Sequence, residues 1–470
     1  MSDGSSEWAA DGATAFTAVA IAPAQLGDAG FRRDYGIKYA YVSGAMYKGI
    51  SSAQLVVAMG AAGLIGYLGT GGLSLTAIAH AIDEIERQLD RGQSYGMNLL
   101  SSPTQPEREM RTVELYLRRA IRFVEAAAYT AITPALVLYR LKGARQGPDG
   151  RVVVPHRVMA KVSRPEVAEV FMRPAPPRLV AQLVAQGLLS QEEARLGAYF
   201  PMANEVCVEA DSGGHTDRGV ASVLMPSMLA LRDRVAREQR YQAPIRIGAA
   251  GGIGTPEAAA AAFVLGADFV LTGSVNQCTV EAGTSAAVKD LLQTIDVQDT
   301  AYAPAGDMFE SGAKVQVLKK GLLFPARANK LHELYTRYDS LEQIDEKTRI
   351  QIQEKYFRRS FDAVWAETEA HHAALNPALI ERARRDPKQK MALVLRWYFA
   401  HASRLAMRGS QEQVADYQVH CGPALGAFNQ WVKGTALEDW RARHCADIGE
   451  RLMSGAAAVL ARQFDKLVGR

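Results

Sequence analysis

A chain of 470 residues that is 48% hydrophobic and 22% charged is globular, with length for a sizeable core and a second domain. Its formal net charge of +4 is small for that length and gives no support to a nucleic-acid or membrane-surface partner. Cys207, Cys278, Cys421 and Cys445 show neither close pairing nor zinc-type spacing, which favours a reducing compartment and offers no metal site.

The N-terminal segment, taken as 1–37, opens Met1-Ser-Asp-Gly-Ser-Ser without a basic stretch, and the apolar run that follows to about Ala24 is broken by Thr, Pro and Gln. No apolar run approaches the roughly 20 residues of a spanning helix, so neither signal peptide nor membrane span is expected and the location expected is cytoplasmic.

From residue 38 to 296 one unit repeats: a short apolar or β-branched run, a Gly-rich or polar turn, then an amphipathic stretch. The expected strands are Lys38–Val42, Leu64–Leu68, Tyr95–Leu99, Phe123–Ala127, Arg157–Lys161, Val206–Val208, Ile245–Ile247 and Phe269–Leu271. An open doubly wound sheet shares this local signature. Eight strand–helix units in about 250 residues fit a (β/α)8 TIM barrel better, giving an α/β fold.

Between the fifth and sixth strands the spacing exceeds one crossover helix. Phe171-Met-Arg-Pro-Ala-Pro-Pro177 breaks the pattern, and Leu179 to Leu196 reads as helix, Gly187 turn and second short helix, a helical insertion over about 171–203. Placed among the strand-to-helix loops it would be a lid; packed on the barrel edge it would be an ornament. Beyond 297 the alternation stops at the connector Tyr302-Ala-Pro-Ala-Gly-Asp-Met-Phe309, and 297–470 reads as a C-terminal helical domain. Its charged stretch Arg327–Arg359 mixes signs as a solvated face does. The runs Leu393–Phe399 and Gly426–Val432 supply the aromatics of a second core.

In such a barrel, reacting groups sit at the C-terminal strand ends, and a phosphate commonly rests between the loops after strands seven and eight. Gly251-Gly-Ile-Gly254 ends the seventh strand, and Thr255-Pro256 starts a helix whose N-terminus favours an anion. Thr272-Gly273-Ser274 ends the eighth and adds N–H donors and hydroxyls. With no Gly-Lys-Ser/Thr and no acidic residue at the ribose distance, the pair points to a monophosphate such as FMN.

The other strand ends suit the flavin ring. Gly44, Ala45 and Met46 end strand one with small residues and a thioether, and Asn98 after strand three offers donor and acceptor. Glu125 and Lys161 are charges in apolar strands, explained either by a polar ligand or by a buried Lys161–Glu125 ion pair. After strand six, Asp211-Ser212-Gly213-Gly214-His215 brings an imidazole to the ring of loops, suited to proton delivery, with Asp211, Ser212 or Asp217 to orient it or touch the ribityl chain.

Tyr41-Val-Ser-Gly-Ala-Met-Tyr-Lys-Gly49, Tyr95–Leu100, Glu209–Asp217, Ala249–Gly254, Leu265-Gly-Ala-Asp268 and Thr272–Ser274 resemble the flavin-dependent enoyl-acyl-carrier-protein reductase and nitronate monooxygenase superfamily. Pro304–Phe309, Gly312–Val317, Leu323–Asn329 and Cys421–Asn429 resemble in particular the trans-acting enoyl reductases of bacterial polyketide and polyunsaturated fatty acid synthases. The resemblance implies FMN as cofactor, NADPH as hydride donor, and an enoyl thioester on an acyl carrier protein as substrate and partner, with 297–470 on the carrier side. It implies His215 as the polar or proton-donating residue, with Lys161 as its rival. A nitronate-oxidising enzyme and a non-catalytic flavin-binding synthase subunit are the alternatives.

Overall fold

A computed structural model describes residues 20–103 and 105–468; most of the N-terminal apolar stretch lies outside them. Eight parallel strands close a barrel: Tyr41–Ser43, Ile65–Leu68, Gly96–Leu100, Phe123–Ala127, Arg157–Val162, Glu205–Glu209, Arg246–Ala250 and Phe269–Thr272. Each pairs with its sequence neighbour, and the eighth pairs with the first through Tyr41↔Val270. The strands are apolar on both faces because one face lines the interior and the other carries helices. Ser52, Ser74, Thr133 and Thr255 cap outer helices through their hydroxyls.

The helix Ala29–Tyr35 plugs the N-terminal end. Phe31 stacks on Phe269 with centroids 4.4 Å apart, Tyr35 stacks on Phe123, and the Tyr35 hydroxyl donates to buried Glu205 at 2.9 Å. Arg157 and Arg246 close the same layer on Glu205 at 2.6 and 3.1 Å. Phe31→Ala is expected to cost about 3–5 kcal/mol, because neighbours held by strands and ion pairs cannot collapse into the void. Urea unfolding with unchanged slope checks it.

The inserted helices Pro177–Ala185 and Gln191–Leu196 follow the helix Pro165–Met172 and precede the sixth strand, so they occupy a helix-to-strand connection. That puts them at the N-terminal rim, where they pack on Pro134–Leu141 with Lys142 Nζ donating to Leu188 O and Arg140 Nε to Pro201 O. The lid reading is thereby corrected: the strand-to-helix loops are at the opposite end.

Residues after 297 are not uniformly helical. Thr300–Pro304 and Lys314–Leu318 form an antiparallel sheet whose third strand is Gly214–His215. A separate core gathers Phe309, Val315, Val317, Phe324, Trp397, Tyr398 and Phe399 between this sheet and helices including Phe324–Arg337 and Pro387–Arg408. The last helix, Cys445–Leu467, returns to the barrel and packs on Pro256–Val264, Ala53–Ala61 and the first strand. It fills the eighth place in the outer ring. Gly449 permits the approach: a Cβ there would lie 2.6 Å from Tyr41 Cε1. The stretch between the eighth strand and this helix is thus an excursion from the barrel, whereas the expected division put all of 297–470 outside it.

Candidate active site

Side chains two apart on a strand share a face. Because Phe123, Met159 and Cys207 point into the barrel, so do Glu125, Lys161 and Glu209 one layer higher, joined by Asn98 paired with Glu125. Lys161 Nζ lies 3.3 Å from Glu209 Oε1 and 3.9 Å from Glu125 Oε1. Burial opposes the lysine's charge, but Glu209 and then Glu125 hold its pKa above the ordinary range. Burial pushes the Glu125 carboxyl up despite Lys161 and the Ala45 N–H, which donates to Oε2 at 3.0 Å. Glu125 Oε1 is buried with no hydrogen-bond partner. An ion pair with one orphaned oxygen and a long contact is an incomplete structural pair; it has the form of a charged layer awaiting a polar ligand.

Beside this layer the two glycine turns meet as barrel geometry requires. Cβ atoms added at Gly252 or Gly273 would meet nothing within 4 Å, whereas one at Gly254 would lie 1.9 Å from Ala424 O. Gly251 and Gly252 adopt φ of +87° and +74°, open to glycine at little cost. Open space lies beside Gly252 and beside Gly273, and the helix Pro256–Val264 starts just after the first of these turns, an arrangement suited to an anion. Ser274 Oγ accepts from Gly422 N–H at 3.0 Å and keeps its own proton to donate. Thr272 contributes backbone only: its hydroxyl points outward to Tyr41 and Asn276. Gly44 and Met46 support the first loop through backbone groups, Gly44 N–H donating to Thr272 O and Met46 O accepting from Ser51.

The loop after strand six is locked from the far part of the chain. Asp211 accepts from Thr216 and Tyr302, and Ser212 donates to Glu209 at 3.1 Å. Gly213 abuts the Cys421–Gly422 backbone. His215 is half exposed, and its Nε2 bonds Asp307 Oδ1 at 2.9 Å. Burial disfavours the imidazolium, yet the Asp307 bond and charge carry its pKa above the ordinary value. Asp307 therefore orients this histidine. Asp217 instead binds Ser163 and a bidentate Arg164 on the rim, away from the imidazole.

The fold of this chain recurs in a solved structure. It is the enoyl reductase domain of MlnA from the macrolactin biosynthesis cluster of Bacillus amyloliquefaciens, 45% identical, with a TM-score of 0.91 over 94% of this chain and 99% of that one. The chain belongs to this enoyl reductase family. The family member is also 53% identical over 95% of its length to the polyketide biosynthesis protein PksE of Bacillus subtilis, and 53% identical over 96% to ThaF of Burkholderia thailandensis. It spans 58% and 39% of those two proteins. Residues 338–417 match the inserted helical domain of [acyl-carrier-protein] S-malonyltransferase, which falls within the excursion and its separate core. Among the described residues no helix is long and apolar enough to cross a membrane.

Within this family member, Glu209 contacts Lys161 and Asp307 bonds His215, while His420 bridges to the strand that pairs with His215; none of the three is among the site residues expected from the sequence. Glu209 was findable, since it lies two positions beyond an inward residue of strand six. Asp307 and His420 carry no local signal: Asp307 lies on the connection into Lys314–Leu318, the strand that pairs with Gly214–His215, and His420 bridges to that same strand.

Proposed function

We propose that the chain is an FMN-dependent enoyl reductase that draws hydride from NADPH and reduces the α,β double bond of an enoyl thioester on an acyl carrier protein, acting in trans in polyketide or polyunsaturated fatty acid synthesis. The observation that carries the cofactor is the open space beside Gly252 and beside Gly273 at the ends of strands whose barrel also holds the inward layer of Asn98, Glu125 and Lys161. Gly251, Gly252, Gly254, Gly273 and Ser274 would hold the phosphate, and Asn98, Glu125 and Lys161 would meet the polar edge of the ring. Bound there, the flavin supplies two-electron hydride transfer to the β-carbon. His215, whose pKa Asp307 raises, delivers the α-proton, with Lys161 as the other donor within the barrel. The carrier protein as partner is supported by the inserted-domain match and by the polyketide relatives.

Purified protein is expected to be yellow, to bleach anaerobically with NADPH, and to recover colour with a crotonyl carrier-protein thioester. Recovery with a nitronate in place of the thioester would favour the oxidase alternative. Flavin that NADPH leaves oxidised would overturn the reductase reading.

A further inference from the structure

Two imidazoles, not one, lie along a single edge of the Lys314–Leu318 strand. His215 pairs with Val315 and His420 bridges to Val317, while Cys421 N–H donates to Gln316 O and Leu318 N–H to Val419 O. Cross-strand partners share a face, and Val315 and Val317 are two positions apart, so the histidines project to the same side about 7 Å from one another. Gly214 sits between them with φ +91°, and a Cβ there would approach His420 Nδ1 at 3.7 Å; glycine leaves that nitrogen uncovered.

His420 is held in one orientation. Its ring stacks on Tyr47 of the first barrel loop with centroids 4.9 Å apart, and Tyr47 OH bonds Ser403 of the inserted core. Its Nε2 lies 2.9 Å from Gln418 Nε2. With the Gln418 amide nitrogen as the donor, the imidazole Nε2 accepts and the ring proton is placed on Nδ1. Among the described residues the bond to Gln418 is the hydrogen bond that the His420 ring makes, and none is made at Nδ1.

The groups facing the ring are His215, Asp307 and Lys48. Burial and the His215 charge, with Lys48 adding to them and Asp307 opposing, depress its pKa to about 3. Lys48 is itself part-buried against Ser403. A ring that stays neutral cannot deliver a proton at neutral pH, but it remains a fixed donor.

We propose that His420 is a second substrate-contacting imidazole, its Nδ1–H donating a hydrogen bond to the thioester carbonyl oxygen while His215 serves as proton donor. The inference rests on the enoyl-reductase reading. As hydride adds to the β-carbon, the π pair shifts toward the carbonyl oxygen and negative charge grows there. Nδ1–H stabilises that charge without transferring its proton, and the α-carbon takes its proton from the separate donor, so substrate gains one hydride and one proton. The geometry assigns the acid role and the oxyanion role to different histidines.

His420→Ala is expected to lower kcat for enoyl reduction by about 10²-fold, the usual loss of one oxyanion donor, with flavin content and the rate of NADPH bleaching unchanged. His420→Asn, whose amide nitrogen overlays Nδ1, should recover part of the loss, and the alkaline limb of the pH profile should stay in place in both. In parent protein labelled with 15N-histidine, the His420 ring should remain in the neutral Nδ1–H form from pH 5 to 9, a range set about the ordinary histidine pKa. Parental kcat in His420→Ala, or a ring that titrates above pH 5 or carries its proton on Nε2, would overturn the inference. Failure of the parent itself to turn over an enoyl thioester would instead overturn the reading on which it rests.

Discussion

Gly252→Asp is expected to yield folded, colourless protein whose affinity for FMN falls by about 10³-fold. The open space beside Gly252 admits a side chain, so a carboxylate enters the volume assigned to the phosphate without displacing protein atoms. Two like charges about 4 Å apart repel by about 4 kcal/mol at an effective dielectric near 20, which sets the fold-change. Any non-glycine residue at φ +74° also carries backbone strain of about 1–2 kcal/mol, so Gly252→Ala serves as the control. It shares the strain but not the charge and should retain most of its flavin. Flavin titration of both variants, with circular dichroism to establish folding, checks the pair. Stoichiometric flavin in purified Gly252→Asp would remove the phosphate from this space.

His215→Ala is expected to keep flavin and NADPH bleaching while kcat for enoyl reduction drops by about 10²–10⁴-fold, the range for loss of a positioned acid. The raised pKa gives the profile its direction. A donor that works as imidazolium is active below its pKa, so kcat should fall as pH rises through that value. Asp307→Asn removes the acceptor that holds the proton and should move this fall to lower pH, leaving the low-pH plateau nearer the parent's. Stopped-flow reoxidation of reduced enzyme by enoyl thioester across pH separates the two variants. An unshifted limb in Asp307→Asn, together with parental rate in His215→Ala, would pass the proton-donor role to Lys161.

The barrel was legible because its information is local. Burial on both faces demands an apolar run such as Phe123–Ala127, and the turn and helix that follow are written in the next residues by glycine, proline and hydroxyl caps. The glycine turns at 251–254 and 272–274 were legible for the same reason, since their place at strand ends follows from the repeat. The inserted hairpin at 177–196 shows the limit. Its helices and turn could be read, but its rim depended on whether the helix Pro165–Met172 had already crossed the barrel before it.

By itself the sequence determined the closed parallel barrel, the glycine turns suited to an anion, and the inward charges Glu125 and Lys161, because backbone period and turn chemistry act over a few neighbouring residues. Only the tertiary structure decided that Cys445–Leu467 completes the barrel's ring, that Asp307 rather than Asp217 holds His215, and that His420 lies beside it. The strand Lys314–Leu318 joins His215 to His420 across some two hundred residues of chain. Backbone hydrogen bonds select partners by register and not by sequence distance, so no local pattern records that meeting.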